Sequence, residues 1–93
     1  MADNIKHFEQ LWEEAEQLSV KVFETKDKGV IELITGLLEN YRDLIDSELP
    51  QEVVKSLRKR YMGEIVFWLT LMSAKDNVDV YSALMEEMKL NAL

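Results

Sequence analysis

Tyr61-Met62-Gly63-Glu64-Ile65-Val66-Phe67-Trp68-Leu69-Thr70-Leu71-Met72-Ser73-Ala74 holds a single charge, Glu64, in fourteen residues. The apolar positions in this run do not alternate, and they do not keep to one helical stripe. A helix that is apolar on every side must be buried on every side. The longest apolar stretch, Ile65 to Met72, is interrupted only by Thr70. It falls well short of the roughly 20 residues a membrane span requires. The run therefore reads as the buried half of a helix in an all-α protein. Three short neighbouring helices cannot enclose it, which predicts a homo-oligomer, either a dimer or a tetramer built as a dimer of dimers. The alternative is a monomer with an exposed patch around Phe67 or Trp68.

Upstream of the run, Glu52 to Arg60 is amphipathic and basic, so one helix spans about Gln51 to Lys75. Pro50 suits its first position, where a missing N–H costs nothing, with Ser47 or a neighbour as cap. Downstream, Asp76-Asn77 reads as a turn, because Asn tolerates the left-handed conformation that ends helices. A fourth helix follows from a cap at Asp79 to about Leu90. Toward the N-terminus, Ile31, Ile34, Leu37, Leu38, Tyr41, Leu44 and Ile45 recur at helical spacing, giving a second helix over about Val30 to Asp46. Ile5, Phe8, Leu11, Trp12, Ala15, Leu18, Val22 and Phe23 give a first over about Asn4 to Thr25, with Asp3 or Asn4 as cap. Lys26-Asp27-Lys28-Gly29 and Ser47-Glu48-Leu49-Pro50 are the breaks. No alternating run supports a strand. The expected architecture is one all-helical domain over residues 1–93, a four-helix bundle completed by oligomerisation.

Composition limits the function. The chain has 93 residues, 47% hydrophobic and 31% charged, with a net charge of −7. That balance disfavours duplex nucleic acid and anionic membrane, which need positive faces. The absence of Cys excludes disulfides, thiolate metal sites and Cys nucleophiles. The single His, His7, excludes a multi-histidine metal site within one chain. Met1-Ala2-Asp3-Asn4 has no basic and apolar signal pattern, so the expected location is the cytoplasm.

Four groups of residues are candidates for chemistry. Glu64 is a carboxylate within an apolar run, costly there unless paired, metal-bound or protonated. It either serves a site or pairs with Arg60 one turn earlier. On the second helix, Glu32, Gly36, Glu39, Asp43 and Asp46 fall on or near one stripe. Glu39 and Asp43 at i, i+4 project from one side and supply the oxygen ligands that Mg²⁺ requires, or simply form a solvated acidic face. Lys55, Arg58, Lys59 and Arg60 form a basic cluster that could neutralise a polyphosphate or bridge to acidic neighbours. Glu9, Glu13, Glu14 and Glu16 read as the wet side of the first helix, and Met62, Met72, Met85 and Met88 as fillers of core or interface gaps.

The stretch from Tyr61 to Ala74, followed by Asp76-Asn77-Val78-Asp79-Val80-Tyr81-Ser82-Ala83-Leu84, resembles the third and fourth helices of the all-α nucleoside triphosphate pyrophosphohydrolases, the MazG-like proteins. Leu38-Glu39-Asn40-Tyr41-Arg42-Asp43-Leu44 stands where that family has E-E-x-x-E. The resemblance covers Val30 to Leu90. It implies a four-helix MazG-like fold and Mg²⁺-assisted attack of water between the α- and β-phosphates of a nucleotide. It also carries departures. Glu39 matches the first Glu, Asn40 replaces the second, and Asp43 replaces the third. Tyr61 and Glu64 stand in for the Glu and Asp of E-x-x-D. Of the four positions that hold metal in the family, Asn40, Asp43, Tyr61 and Glu64, only Asp43 and Glu64 are carboxylates here, with Glu39 as a third. The implied metal set is therefore Glu39, Asp43 and Glu64. The implied substrate contacts are Arg58, Lys59 and Arg60 for phosphate, with Tyr61 and Asn40 beside them. Asn40 offers only a neutral carbonyl, and Tyr61 a phenol protonated near neutral pH. The expectation is a MazG-like protein with weakened or lost catalysis. Its alternative is a non-catalytic acidic helical oligomer acting as a protein-interaction or inhibitor module. The enzyme reading requires Glu39, Asp43 and Glu64 to converge on one point.

Overall fold

In the computed structural model, which describes residues 2–92 and the side chains of residues 7–92, the chain is four helices joined by short breaks. They are α1 (Ala2–Phe23), α2 (Val30–Asp43), α3 (Gln51–Asp76) and α4 (Val80–Asn91), with a 3₁₀ turn, Leu44–Asp46, closing α2. The described residues contain no strand. The cap expected at Asp3 or Asn4, and Ile5, lie outside the described side chains.

The breaks follow local chemistry. Asn77 has φ 53° and ψ 46°, and its N–H donates to the Ser73 carbonyl, ending α3 as a left-handed cap does. Asp79 then caps α4, its Oδ1 accepting from the Ser82 N–H at 3.3 Å and its Oδ2 from the Ser82 hydroxyl at 2.9 Å. Those two bonds, the side-chain one first, hold the Asp79 carboxyl below the usual carboxylate range. One expectation shifts by a residue. Pro50 is itself the N-cap of α3, with φ −56° and ψ 146°, rather than its first helical position. Ser47 accepts from the Leu49 N–H at 3.2 Å instead of capping the helix.

α3 is the spine. α1 packs along its C-terminal half and α2 along its other side. Among the described residues, Leu44, Val54, Trp68 and Leu71 are the buried hydrophobic ones. Phe23 meets Trp68 edge-on at 6.2 Å, and Phe67 meets it at 5.2 Å. Between α1 and α3 the seam is polar. Ser19, Thr70 and Ser73 are all buried. Each hydroxyl has a partner, as a buried donor requires. Ser19 donates to the Glu16 carbonyl at 3.0 Å, and Thr70 to the Phe67 carbonyl at 2.6 Å. The Trp12 indole N–H donates to Ser73 Oγ at 3.0 Å, and Ser73 Oγ lies 3.2 Å from Glu16 Oε1.

This seam corrects the reading of α1. Its inward stripe is Trp12, Ala15, Glu16, Ser19, Val22 and Phe23, while Phe8, Leu11 and Leu18 stay exposed. Glu16 is half-buried and joined to the seam, not part of a wet face. In the apolar half of α3, Thr70, Leu71 and Ser73 are buried, whereas Met62, Val66 and Leu69 remain exposed. α4 stands apart. From Tyr81 to Ala92 every residue is exposed.

Candidate functional site

The face of α2 that meets α3 carries Leu33, Gly36, Leu37 and Asn40, spaced i, i+3, i+4 and i+7. Opposite them, α3 presents Glu64 and Trp68. Lys26 and Lys28, from the break before α2, close one end, and Glu32 adds a second carboxylate. Together these residues line an open cleft of about 260 Å³. Its wall is mixed: two ammonium groups, two carboxylates, an amide and the edge of a buried indole.

Of the residues singled out in the sequence as candidates for chemistry, the cleft brings together Glu32, Gly36, Asn40 and Glu64. Glu39, Asp43, Asp46, Lys55, Arg58, Lys59, Arg60 and Tyr61 lie outside its wall. Glu39 and Asp43 are exposed, the latter 3.7 Å from the Arg42 guanidinium. They share a flank of α2 with Glu32, at i+7 and i+11 from it, so rotation about the helix does not separate them from the cleft's own carboxylate. Glu64 is held by Arg60, whose Nε donates to its Oε1 at 3.2 Å. This is the i−4 ion pair that stood as the alternative to a site role. Arg58 lies over the Tyr41 ring, 6.0 Å from its centroid, and its Nε is buried without a hydrogen-bond partner. Lys59 and Arg60 are exposed, and Tyr61 is half-buried. Among the described residues, no three His, Asp or Glu side chains come together as a metal-holding group. The donor set implied for Mg²⁺, Glu39 with Asp43 and Glu64, is not gathered within one chain.

Sequence reasoning missed Lys26, Lys28 and Trp68 as cleft residues. The first two stood only as a helix break and the third as core. The signal that could have found them is the 3.6-residue phase of Leu33, Gly36 and Leu37, which fixes the side of α2 that faces α3.

A second cavity, of about 310 Å³, lies between α1 and the start of α4. Phe8, Trp12 and Tyr81 line it together with Glu9, Glu13, Glu16 and Asp79. A third, of about 200 Å³, runs between α1 and α3 and is almost wholly apolar. No helix of the described residues is long and apolar enough to cross a membrane. Set against protein-family models, curated proteins and solved structures, the chain matches none of them.

Proposed function

We propose that this chain is a helical module of MazG-like type that works by assembling with further copies, its metal-dependent nucleotide hydrolysis weakened or lost. One observation carries the reading: the surface is too large for a self-contained domain. The chain exposes 7720 Å². A folded monomer of 10.9 kDa is expected to expose about 5,600 Å². The surplus of about 2,100 Å² is the scale of an obligate interface. Shape agrees, because the radius of gyration is 15.4 Å where about 12 Å is usual for this length. Leu11, Ile31, Ile45 and Leu84 are more than half exposed, as are Leu38, Met62, Met88 and Leu90. A homodimer, or a tetramer made of two, would take these side chains out of water. Loss of catalysis is supported by the neutral Asn40 and Tyr61 at two family ligand positions and by the Arg60 pair on Glu64.

A second reading keeps nucleotide binding without efficient turnover. The α2–α3 cleft favours it, since Lys26 and Lys28 stand beside Asn40 and Glu64 where a phosphate could meet cations. Thermal melting with Mg²⁺ or Mn²⁺ and a panel of nucleoside triphosphates separates the two, because a ligand of the folded state raises the melting temperature. The assembly reading expects no metal-dependent nucleotide shift and no pyrophosphate release. A shift that Glu64→Ala abolishes would establish the second reading instead.

A further inference from the structure

α4 is twelve residues long. A helix of that length is marginal in water without packing. Four of its apolar residues share one face, Tyr81, Leu84, Met85 and Met88 at i, i+3, i+4 and i+7, all exposed, with Leu90 on the opposite side. Such a stripe on so short a helix needs a surface to lie on.

The same chain carries a surface of matching size. The apolar groove between α1 and α3 is walled by Phe8, Leu11 and Trp12 on one side and by Gly63, Val66 and Phe67 on the other. Phe8 to Ala15, Gly63 to Thr70 and Tyr81 to Met88 are eight residues each, about two helical turns or 10 Å from first to last. Gly63, inside α3, leaves open space beside the groove: a Cβ built on it would meet nothing within 4 Å, as is equally so at Gly29 and Gly36.

We infer that α4 is an exchange arm: its Tyr81-Leu84-Met85-Met88 stripe lies in the α1–α3 groove of a second copy, and the second copy returns the same contact. This rests on the assembly reading above and says which surfaces make the assembly. A second copy is the occupant that satisfies both partners at once, because arm and groove belong to one sequence and a two-fold axis pairs each arm with the other groove. The arrangement is also where the area leads. Two such contacts cover exposed apolar surface on α1, α3 and α4, the elements that hold most of the open side chains outside α2.

The chain has no Cys, which makes cross-linking clean. The double variant Met85→Cys/Val66→Cys, oxidised, is run on a non-reducing gel and reduced again as control. Exchange gives a covalent dimer, and an arm folding back on its own groove gives an internally linked monomer. In parallel, the dimer dissociation constant is measured by sedimentation for the parent chain, for Leu84→Lys/Met88→Lys, for Gly63→Leu and for Ile31→Lys on α2. The arm and groove variants alter exposed positions, so each protomer keeps its fold by circular dichroism. Exchange expects each to weaken association at least about 100-fold, the loss typical of removing a buried anchor pair, with Ile31→Lys leaving it within a few-fold. A parent dimer that arm and groove variants leave intact overturns the arm and spares the assembly reading. A parent chain that is monomeric throughout overturns both. An internally linked monomer overturns exchange alone.

Discussion

Ser73→Ala tests the polar seam that joins α1 to α3. Ser73 is 5% exposed, and its Oγ accepts the Trp12 indole N–H at 3.0 Å. The same hydroxyl donates either to the Thr70 carbonyl, 3.1 Å away, or to Glu16 Oε1 at 3.2 Å. Alanine removes the acceptor and leaves the indole N–H facing a methyl group with no partner. An orphaned donor of this kind costs about 1–3 kcal/mol, and half-burial of Trp12 places the loss toward the lower end. A domain of this size loses about 4–8 °C of melting temperature per kcal/mol. The expected drop is therefore about 4–16 °C, read by circular dichroism at one fixed protein concentration so that association does not move the midpoint. The control is Trp12→Phe, which removes the donor. In that background Ser73→Ala is expected to cost about 0.5 kcal/mol or less, so the cycle returns a coupling of about 1 kcal/mol. Equal costs in the two backgrounds would refute the seam as a bonded unit, as would a single variant that melts with the parent.

Four further outcomes are expected. Leu71→Ala, at the most buried apolar position, costs about 2–5 kcal/mol because Leu71 is 1% exposed in a core of few residues; denaturant unfolding reads it, and a loss near zero would contradict the core. Asn77→Gly stabilises by up to about 1 kcal/mol because the left-handed turn no longer carries a Cβ, while Asn77→Val destabilises; the reverse order in thermal melts would contradict the cap. The Asp79 cap titrates with a definite sign. Its pKa is lowered on folding, so its contribution is complete above the ordinary Asp value of about 3.9 and fades as pH falls through the lowered one. The Ser82 amide, followed by NMR on acidification, is expected to move with that fade and to stay still in Asp79→Ala; motion in both would remove the cap from the account. Glu64→Ala breaks only the exposed i, i+4 pair with Arg60 and is expected to cost about 0.5 kcal/mol or less; a loss several times larger would mean that Glu64 does more in the fold than hold Arg60.

The boundaries of the helices were legible because their punctuation is chemical. Gly29, Pro50, Asn77 and Asp79 each act within a residue or two of their own position. The rotation of each helix was not legible. α1 carries two adjacent apolar stripes, one through Leu11 and Leu18 and one through Trp12, Ala15 and Val22. Hydropathy favours neither, and the seam that forms centres on Ser19, a polar residue that can be buried only because the Glu16 carbonyl and Thr70 lie beside it. The cleft was not legible either. Glu39 and Asp43 satisfy the i, i+4 rule as a carboxylate pair and share a flank of α2 with Glu32, yet of these three only Glu32 lines the cleft, with Asn40 beside it. Glu64 was visible as a lone charge, and its partner Arg60 was one of two outcomes that the spacing allowed. What one sequence does not reveal is which apolar stripes enter the core and which stay exposed.

Sedimentation equilibrium on the full chain across the micromolar range bears most directly on assembly as the chain's working state. The account predicts a mass at an even multiple of 10.9 kDa, held at low concentration. A single 10.9 kDa species at the highest concentration, with solution scattering returning the 15.4 Å radius of the isolated chain, would contradict it.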